Sequence, residues 1–169
     1  MITVADGAVR VLKSLAQRRS RTFPKLSFDG RYAAYTRRAE PEAASNDLFL
    51  IDVATGVETR LTDHSAIKKI LGWTPDSQRL LFGQEREKGW DAWMIRVADG
   101  QPQGRPVKVK SDIGNISPFH FTRDGALYFS VDSSNPPSLF TGAIDLEQDL
   151  VTVVPLAAEE FNVTETMQG

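Results

Sequence analysis

The hydrophobic residues of this chain occur in short runs separated by polar turns, and the same order of runs appears three times. Each copy is centred on an acidic turn, at Ser27-Phe28-Asp29-Gly30, Thr74-Pro75-Asp76-Ser77 and Thr122-Arg123-Asp124-Gly125. The three aspartates are 47 and 48 positions apart. A constant period of about 40–50 residues is typical of a repeated four-stranded unit, the blade of a β-propeller.

Each copy predicts four strands around its acidic turn. The first strand precedes the turn, at residues 25–27, 70–73 and 118–121. The second is a short apolar run directly after it, at residues 32–35, 80–82 and 126–129, which is typical of a strand covered on both faces. Polar loops follow, at residues 37–46, 84–89 and 132–137. The third strands are predicted at residues 48–51, 92–95 and 139–144, and the fourth at 58–62, 107–110 and 150–154.

Small residues and glycine turns support this order. Asp99-Gly100, between a third and a fourth strand, predicts a two-residue hairpin, because both central residues of a type I′ turn need a positive φ. The third copy departs from this pattern with Asp145-Leu146-Glu147. Ser27 and Gly72 are small, which suits an innermost strand where neighbouring blades converge.

The predicted fold class is all-β, a partial β-propeller of about three four-stranded antiparallel blades with flanking half-blade strands. We expect a single propeller segment over residues 1–169, with a half blade at 1–16, blades at about 24–64, 68–110 and 116–155, and the start of a next blade at 158–166. Propellers close with about 4–8 blades, so three do not complete a ring. The chain is therefore expected to be part of a longer protein, to pair with a copy of itself, or to form a small imperfect four-bladed ring.

The repeats resemble a known family. The residues Ser27 to Tyr32, followed by Asp47-Leu48-Phe49-Leu50-Ile51-Asp52 and then Gly56 to Thr62, are similar to the TolB-like, WD40-like (PD40-type) repeat. Phe28, Arg123 and Ser77 depart from the residues that the family favours at those positions. Such repeats occur in periplasmic Tol-system proteins, in propeller domains of prolyl-oligopeptidase-like peptidases and in bacterial sensor or regulator proteins. The repeat sequences of this chain are most similar to those of the last group.

Composition excludes several function classes. The net charge is −2, which is a poor match for a polyanion, so nucleic acid is not an expected partner. Cysteine is absent, which excludes disulfides and cysteine-based zinc sites. No apolar stretch approaches the ~20 residues that span a bilayer, so we expect no membrane insertion. The sequence is consistent with a location in either the cytoplasm or the periplasm.

No catalytic, cofactor or metal site is expected. A serine nucleophile elbow of the form G-x-S-x-G does not occur in the sequence. Ser65-Ala66-Ile67-Lys68 matches S-x-x-K, but we interpret it as a loop between blades. The aspartates of the acidic turns are interpreted as acceptors of backbone N–H bonds, separated by tens of ångströms around the ring because each blade carries one.

Four residues are candidates for partner binding. Trp90 follows the charged segment Glu85 to Gly89 and is either an exposed binding aromatic or a cap on the blade edge. Trp73 ends an inner strand, where it either packs between blades or faces the channel. Glu40 and Glu42 lie in the long loop of residues 37–46, and loops on a rigid scaffold commonly carry recognition.

The leading functional hypothesis is a non-catalytic scaffold that binds a protein or peptide, including another copy of itself or missing blades, within a larger sensor or regulator protein. The alternative is a propeller that gates a prolyl-oligopeptidase-like serine peptidase whose catalytic domain lies outside this sequence. A third class, a propeller enzyme with a small-molecule site in its channel, has only His120 as an inward-facing candidate.

Overall fold

A computed structural model describes residues 11–13, 23–38, 40, 42–131, 138–145 and 150–155. Within these ranges the chain forms twelve strands and no helix. The strands make three antiparallel four-stranded sheets, each built from four strands that are consecutive in the sequence. Hairpin connections produce this order, because an antiparallel neighbour needs only a short turn. The predicted fold class, a partial propeller of three antiparallel blades, is therefore confirmed.

The first sheet contains β1 (Lys25–Leu26), β2 (Tyr32–Arg37), β3 (Asp47–Asp52) and β4 (Glu58–Arg60). The second contains β5 (Lys68–Trp73), β6 (Arg79–Arg86), β7 (Gly89–Ala98) and β8 (Gln101–Lys110). The third contains β9 (Ile116–Phe121), β10 (Ala126–Val131), β11 (Ser138–Asp145) and β12 (Leu150–Pro155). Two linkers join the sheets, the first at residues 61–67 and the second at residues 111–115.

The second sheet lies between the other two and buries both of its faces. Side chains alternate across a strand, so Leu80 and Phe82 of β6 face one way and Leu81 faces the other. Leu80 and Phe82 pack in a core shared with Leu48 and Leu50 of the first sheet. Leu81 packs in a second core, shared with residues of β9 and β10 in the third sheet. The uninterrupted apolar run in β6 is thus explained by two covered faces.

The innermost strands of the second and third sheets approach closely at Gly72. A Cβ atom added to Gly72 would lie 2.5 Å from Cδ2 of Phe121, which is far inside van der Waals contact. The pairing of β5 with β6 also shifts register between Ile70 and Gly72. The sequence predicted a small residue here because blades converge at their inner strands, and the structure gives the same reason.

The acidic turns have the predicted turn chemistry. Oδ1 of Asp29 accepts hydrogen bonds from Oγ of Ser27 at 2.6 Å and from the backbone N of Arg31 at 3.0 Å. Oδ1 of Asp76 accepts equivalent bonds from Oγ1 of Thr74 at 2.5 Å and from the backbone N of Gln78 at 2.9 Å. The carboxylates therefore stabilise the connection from the first to the second strand in the first two blades.

The expected wide separation was wrong for the acidic turns of the first two blades. The backbone N of Asp29 donates to Oγ of Ser77 in the next turn, at 3.0 Å. The inner strands of neighbouring sheets are in contact, as the bond from Nε1 of Trp73 to the carbonyl of Lys25 at 3.0 Å shows. Because each turn directly follows its inner strand, the turns of the first two blades are brought together.

The hairpins of the second sheet include one confirmed prediction and one correction. Asp99 and Gly100 have φ of 49° and 73°, as a type I′ turn requires. The predicted polar loop over residues 84–89 was wrong. Strands β6 and β7 continue through it, and Arg86 pairs with Gly89, so only two residues form the turn. Backbone pairing does not depend on side-chain polarity at an exposed hairpin end, and polarity alone therefore made the loop too long.

The flanking strands predicted at residues 1–16 and 158–166 fall almost entirely outside the described residues, as does the predicted loop at 132–137. Residues 11–13 are described and are irregular, although the sequence predicted half-blade strands over residues 1–16. Leu12 packs against Tyr35, Phe49 and Ile51 on the face of the first sheet that points away from the second. Across the described parts of the chain, no helix has the length and apolarity needed to cross a membrane.

Candidate functional site

Trp73 is placed between the first two sheets. Its side chain is only 2% exposed, and its ring stacks on Tyr32 with centroids 6.5 Å apart. Its Nε1 donates to the carbonyl of Lys25. The packing alternative considered from the sequence describes this environment, and in this conformation the side chain presents no surface to a partner.

Trp90 lies within β7, where it pairs with Glu85. It is half-buried, on the face of the second sheet opposite to that of Trp73. Nζ of Lys69 lies 4.2 Å from the ring centroid and donates to the carbonyl of Ile116 at 2.8 Å. Trp90 therefore lies where the second and third sheets meet. A partner-binding role for its exposed part stays a prediction.

Glu40 and Glu42 are exposed in the connection between β2 and β3. The carbonyl of Glu40 accepts a hydrogen bond from the backbone N of Ala43 at 3.1 Å, which makes a local turn. Trp73 and Trp90 lie on opposite faces of the second sheet, so the four predicted residues do not form one site. Recognition by the two glutamates stays a prediction.

A cavity of about 470 Å³, which the sequence did not indicate, lies between the first linker and the second sheet. Phe82, Gln84 and Arg86 supply one wall, because these alternate residues of β6 share a face. Trp93 pairs with Phe82 and lies beside it. The remaining lining residues come from the first linker, β5 and β8, and are Thr62, His64, Ser65, Ala66, Lys68, Arg105 and Pro106. We call this cavity the linker pocket.

Lys68 anchors the first linker at the base of the linker pocket. Its side chain is 1% exposed, and its Nζ donates to the carbonyls of Asn46 at 2.8 Å, His64 at 2.5 Å and Ala66 at 3.2 Å. The carboxylate of Asp47 lies 3.3 Å away and is also paired with Arg60 at 2.6 Å. Burial lowers the pKa of Lys68, and the negative charge of Asp47 opposes this shift. These contacts fix the path of the chain from the first blade to the second.

The wall of the linker pocket carries cationic and aromatic groups. Nη2 of Arg86 pairs with Oδ2 of Asp91 at 3.2 Å, and the Arg86 side chain is 48% exposed. Arg105 is exposed and has no ion-pair partner among the described residues. Nε1 of Trp93 is shielded from solvent and has no hydrogen-bond acceptor in the described structure. Such a donor is costly to leave unpaired.

A second ionic cluster lies on the opposite face of the first sheet. Glu58 accepts hydrogen bonds from the Tyr35 hydroxyl and from Nη2 of Arg37 at 2.9 Å, and it pairs with Nζ of Lys13 at 2.8 Å. Burial would raise the pKa of Glu58, but these three donors outweigh it and lower the pKa to about 2. For Tyr35, burial and the Glu58 carboxylate both raise the pKa above its usual value.

Comparison with known proteins adds information about the fold. No protein-family model and no curated protein sequence matches the chain. TolB from Acinetobacter baumannii aligns with a TM-score of 0.62 and 16% identity, covering 91% of this chain and 36% of that one. The chain has the fold of a TolB-like β-propeller. A putative TolB from Agrobacterium tumefaciens aligns with a TM-score of 0.57 and 18% identity, covering 81% of this chain and 50% of that one.

The TolB-like resemblance predicted from the acidic-turn repeats is thus confirmed at the level of the fold. The chain spans between 36% and 50% of the length of these two TolB structures. The β-propeller domain of the Trilobed protease from Pyrococcus furiosus aligns at a TM-score of 0.47 and 17% identity, covering 72% of this chain and 39% of that one. That similarity is too weak to say anything about the function of this chain.

Within the described residues, no group of three or more histidines, cysteines or acidic residues could hold a metal ion. His120 lies on β9, and its side chain is outside the described part of the structure. The candidate functional site is therefore the linker pocket. The sequence contained one signal for it: Phe82, Gln84 and Arg86 alternate as one face of a strand does. Assigning residues 84–89 to a loop hid that signal.

Proposed function

We propose that this TolB-like propeller segment is a non-catalytic binding scaffold, and that its linker pocket receives part of a protein or peptide partner. The pocket carries this proposal. Its volume of about 470 Å³ falls in the range of about 300–1,000 Å³ that is typical of ligand sites. Phe82, Trp93 and Arg105 in its lining are of the aromatic and arginine types that are common at interface hot spots.

The contacts of the polar residues support a scaffold rather than a reaction centre. Lys68 of the S-x-x-K match is engaged with linker carbonyls and with Asp47. Asp29 and Asp76 hold their own turns. These groups therefore stabilise the folded chain. A partner would contact the paired strands of the second sheet that form the pocket wall.

Further blades are part of the proposal, because in the described part of the chain the first and third sheets each have a neighbouring sheet on one face only. In the favoured arrangement the remaining blades belong to the same protein, as in a sensor or regulator. A second copy of this chain is the competing arrangement. Light scattering after size exclusion separates them, because closure by a second copy requires a clean dimer of the 169-residue chain. Among the described residues, no contact or cavity favours the peptidase-gating alternative.

Peptide display on two matched variants tests the binding function. Ser65 is exposed in the first linker and lines the pocket, so Ser65→Trp fills its entrance. Ser111 is exposed in the second linker and is not among the pocket lining residues, so Ser111→Trp adds the same indole away from the pocket. We expect random peptide libraries to yield sequences that bind the wild type and Ser111→Trp but lose binding to Ser65→Trp. Peptides that bind all three proteins equally, or no enrichment at all, would refute the proposal.

A further inference from the structure

The linker pocket concentrates positive charge in a chain whose net charge is −2. Lys68, Arg86 and Arg105 line it, and Arg60 and Lys108 pair with carboxylates at its edges. The carboxylates paired with lining residues are those of Asp47, Asp63 and Asp91. Counting His64 as neutral, the described groups comprise five cations and three carboxylates. The pocket therefore has an excess of positive charge.

Two of these cations are able to reach a ligand. Arg105 is exposed and has no ion-pair partner in the described structure, so its five N–H donors are open to an incoming group. Arg86 uses Nη2 on Asp91 and keeps further donors on a half-exposed side chain. The Nζ atom of Lys68 already donates to the carbonyls of Asn46, His64 and Ala66. The arginine fork matches the two oxygens of a carboxylate, which favours a bidentate contact.

The rest of the lining is apolar. Phe82, Trp93, Ala66 and Pro106 cover the space between the charged groups. The guanidinium carbon of Arg86 lies 5.8 Å from the Trp93 ring centroid, so the cationic and aromatic parts of the pocket adjoin. A simple inorganic anion would leave this apolar surface uncovered. A carboxylate attached to an apolar or aromatic group would use both parts.

We propose that the linker pocket binds a carboxylate-bearing peptide segment, with the carboxylate at Arg105 and Arg86 and an adjoining apolar side chain against Trp93 and Phe82. This inference rests on the proposed scaffold function and specifies its ligand. The carboxylate comes either from an acidic side chain or from a free C-terminus, because both present the same two oxygens.

Titration followed by NMR separates these sources. The chain has three tryptophans and therefore three indole N–H signals, and Trp93→Phe identifies the signal from the pocket. The probes are four dipeptides that are blocked at the N-terminus: phenylalanine–glutamate and phenylalanine–glutamine, both also blocked at the C-terminus, and glycine–phenylalanine with either a free or an amidated C-terminus. We expect at least one carboxylate peptide to shift the Trp93 signal saturably, with its neutral counterpart binding about tenfold more weakly.

Arg105→Gln tests the contact itself, and Arg123→Gln is the matched control, because Arg123 is exposed on the acidic turn of the third blade, outside the pocket lining. We expect Arg105→Gln to weaken the carboxylate peptide about tenfold and Arg123→Gln to leave it unchanged. Higher salt should weaken binding to the wild type, because the Arg105 side chain that would pair with the ligand carboxylate is solvent-exposed.

Three results would overturn the inference. Equal binding of charged and neutral peptides at Trp93 would show an apolar peptide site, and the scaffold function would stand without its anionic specificity. Inorganic phosphate acting as strongly as the peptides would show a free-anion site. No shift of the Trp93 signal by any probe would also refute the inference. The display comparison of Ser65→Trp with Ser111→Trp then decides independently whether the pocket binds peptides at all.

Discussion

The close approach of Gly72 to Phe121 makes a sharp prediction about how the blades are held together. Gly72→Ala adds one methyl group at a position where its Cβ would lie 2.5 Å from Cδ2 and 2.9 Å from Cε2 of Phe121. Ordinary van der Waals contact begins about 1 Å farther out, near 3.5 Å between carbon atoms. Phe121 is 3% exposed in the core between the second and third sheets, so its ring cannot move into solvent.

The expected cost follows from overpacking. Inserting a methyl group into a filled core costs about 1–3 kcal/mol of unfolding free energy. Gly72 has a φ of 159°, at the edge of the region that L side chains rarely adopt, so backbone strain adds to the cost of the contact. Gly104→Ala is the control, because Gly104 has a φ of 78° and no atom within 4 Å of its added Cβ. The loss of unfolding free energy in Gly104→Ala therefore measures backbone strain in the absence of a steric clash.

Urea unfolding of the wild type, Gly72→Ala, Phe121→Leu and the double variant separates the contact from other effects. We expect Phe121→Leu to relieve the clash, so that the two substitutions cost at least about 1 kcal/mol less together than the sum of their separate costs. Gly104→Ala combined with Phe121→Leu should be additive within about 0.5 kcal/mol. Additivity of the Gly72 pair would refute the reasoning, because the cost would then not come from the Phe121 ring.

Three further predictions concern polar contacts. Lys68→Met should lower the unfolding free energy by about 3 kcal/mol or more, because it leaves Asp47 and several carbonyls without their buried cation; a loss below about 1 kcal/mol in urea unfolding would contradict this. The stabilising contribution of Glu58 should be present at pH 5 and fade towards pH 2, because its pKa in the folded chain, about 2, is lower than in the unfolded chain and acid protonates the unfolded form first. Urea unfolding of wild type and Glu58→Gln at pH 5 and at pH 2 checks this prediction. A difference in unfolding free energy between the two proteins that is larger at pH 2 than at pH 5 would contradict it. Ser77→Ala should cost more stability than Ser77→Gly, since both lose the bond from Asp29 at 3.0 Å but only glycine relieves the φ of 59°; equal thermal midpoints would disprove the strain argument.

The backbone architecture was largely predictable from local pattern. The repeat of the acidic turn sets the number of blades, and apolar runs next to turns give the strands. Asp99-Gly100 selects its hairpin because its φ values suit few other residue pairs. The errors were local as well. Residues 84–89 are polar, yet they continue the pairing of β6 with β7, since strand pairing uses the backbone and an exposed hairpin end tolerates any polar side chain.

The candidate site was much less predictable. Lys68 begins β5 and is followed by a second lysine, Lys69, and such a pair suggests exposed positions, yet Lys68 is buried. Its burial depends on carbonyls of the first linker and on Asp47, about twenty positions earlier in the sequence. Trp93 is half-buried, with one side against the core between the first and second sheets and another in the linker pocket.

The sequence by itself therefore determined the repeat, the strands, their antiparallel order and the TolB-like fold, because each depends on residues within one blade and on the alternation of side chains along a strand. Only the tertiary structure decided which face of each blade is covered by its neighbour, how the first linker is anchored and where the linker pocket lies. These features arise between blades. Residues that are 20 to 50 positions apart come together there through packing and electrostatics that no local pattern records.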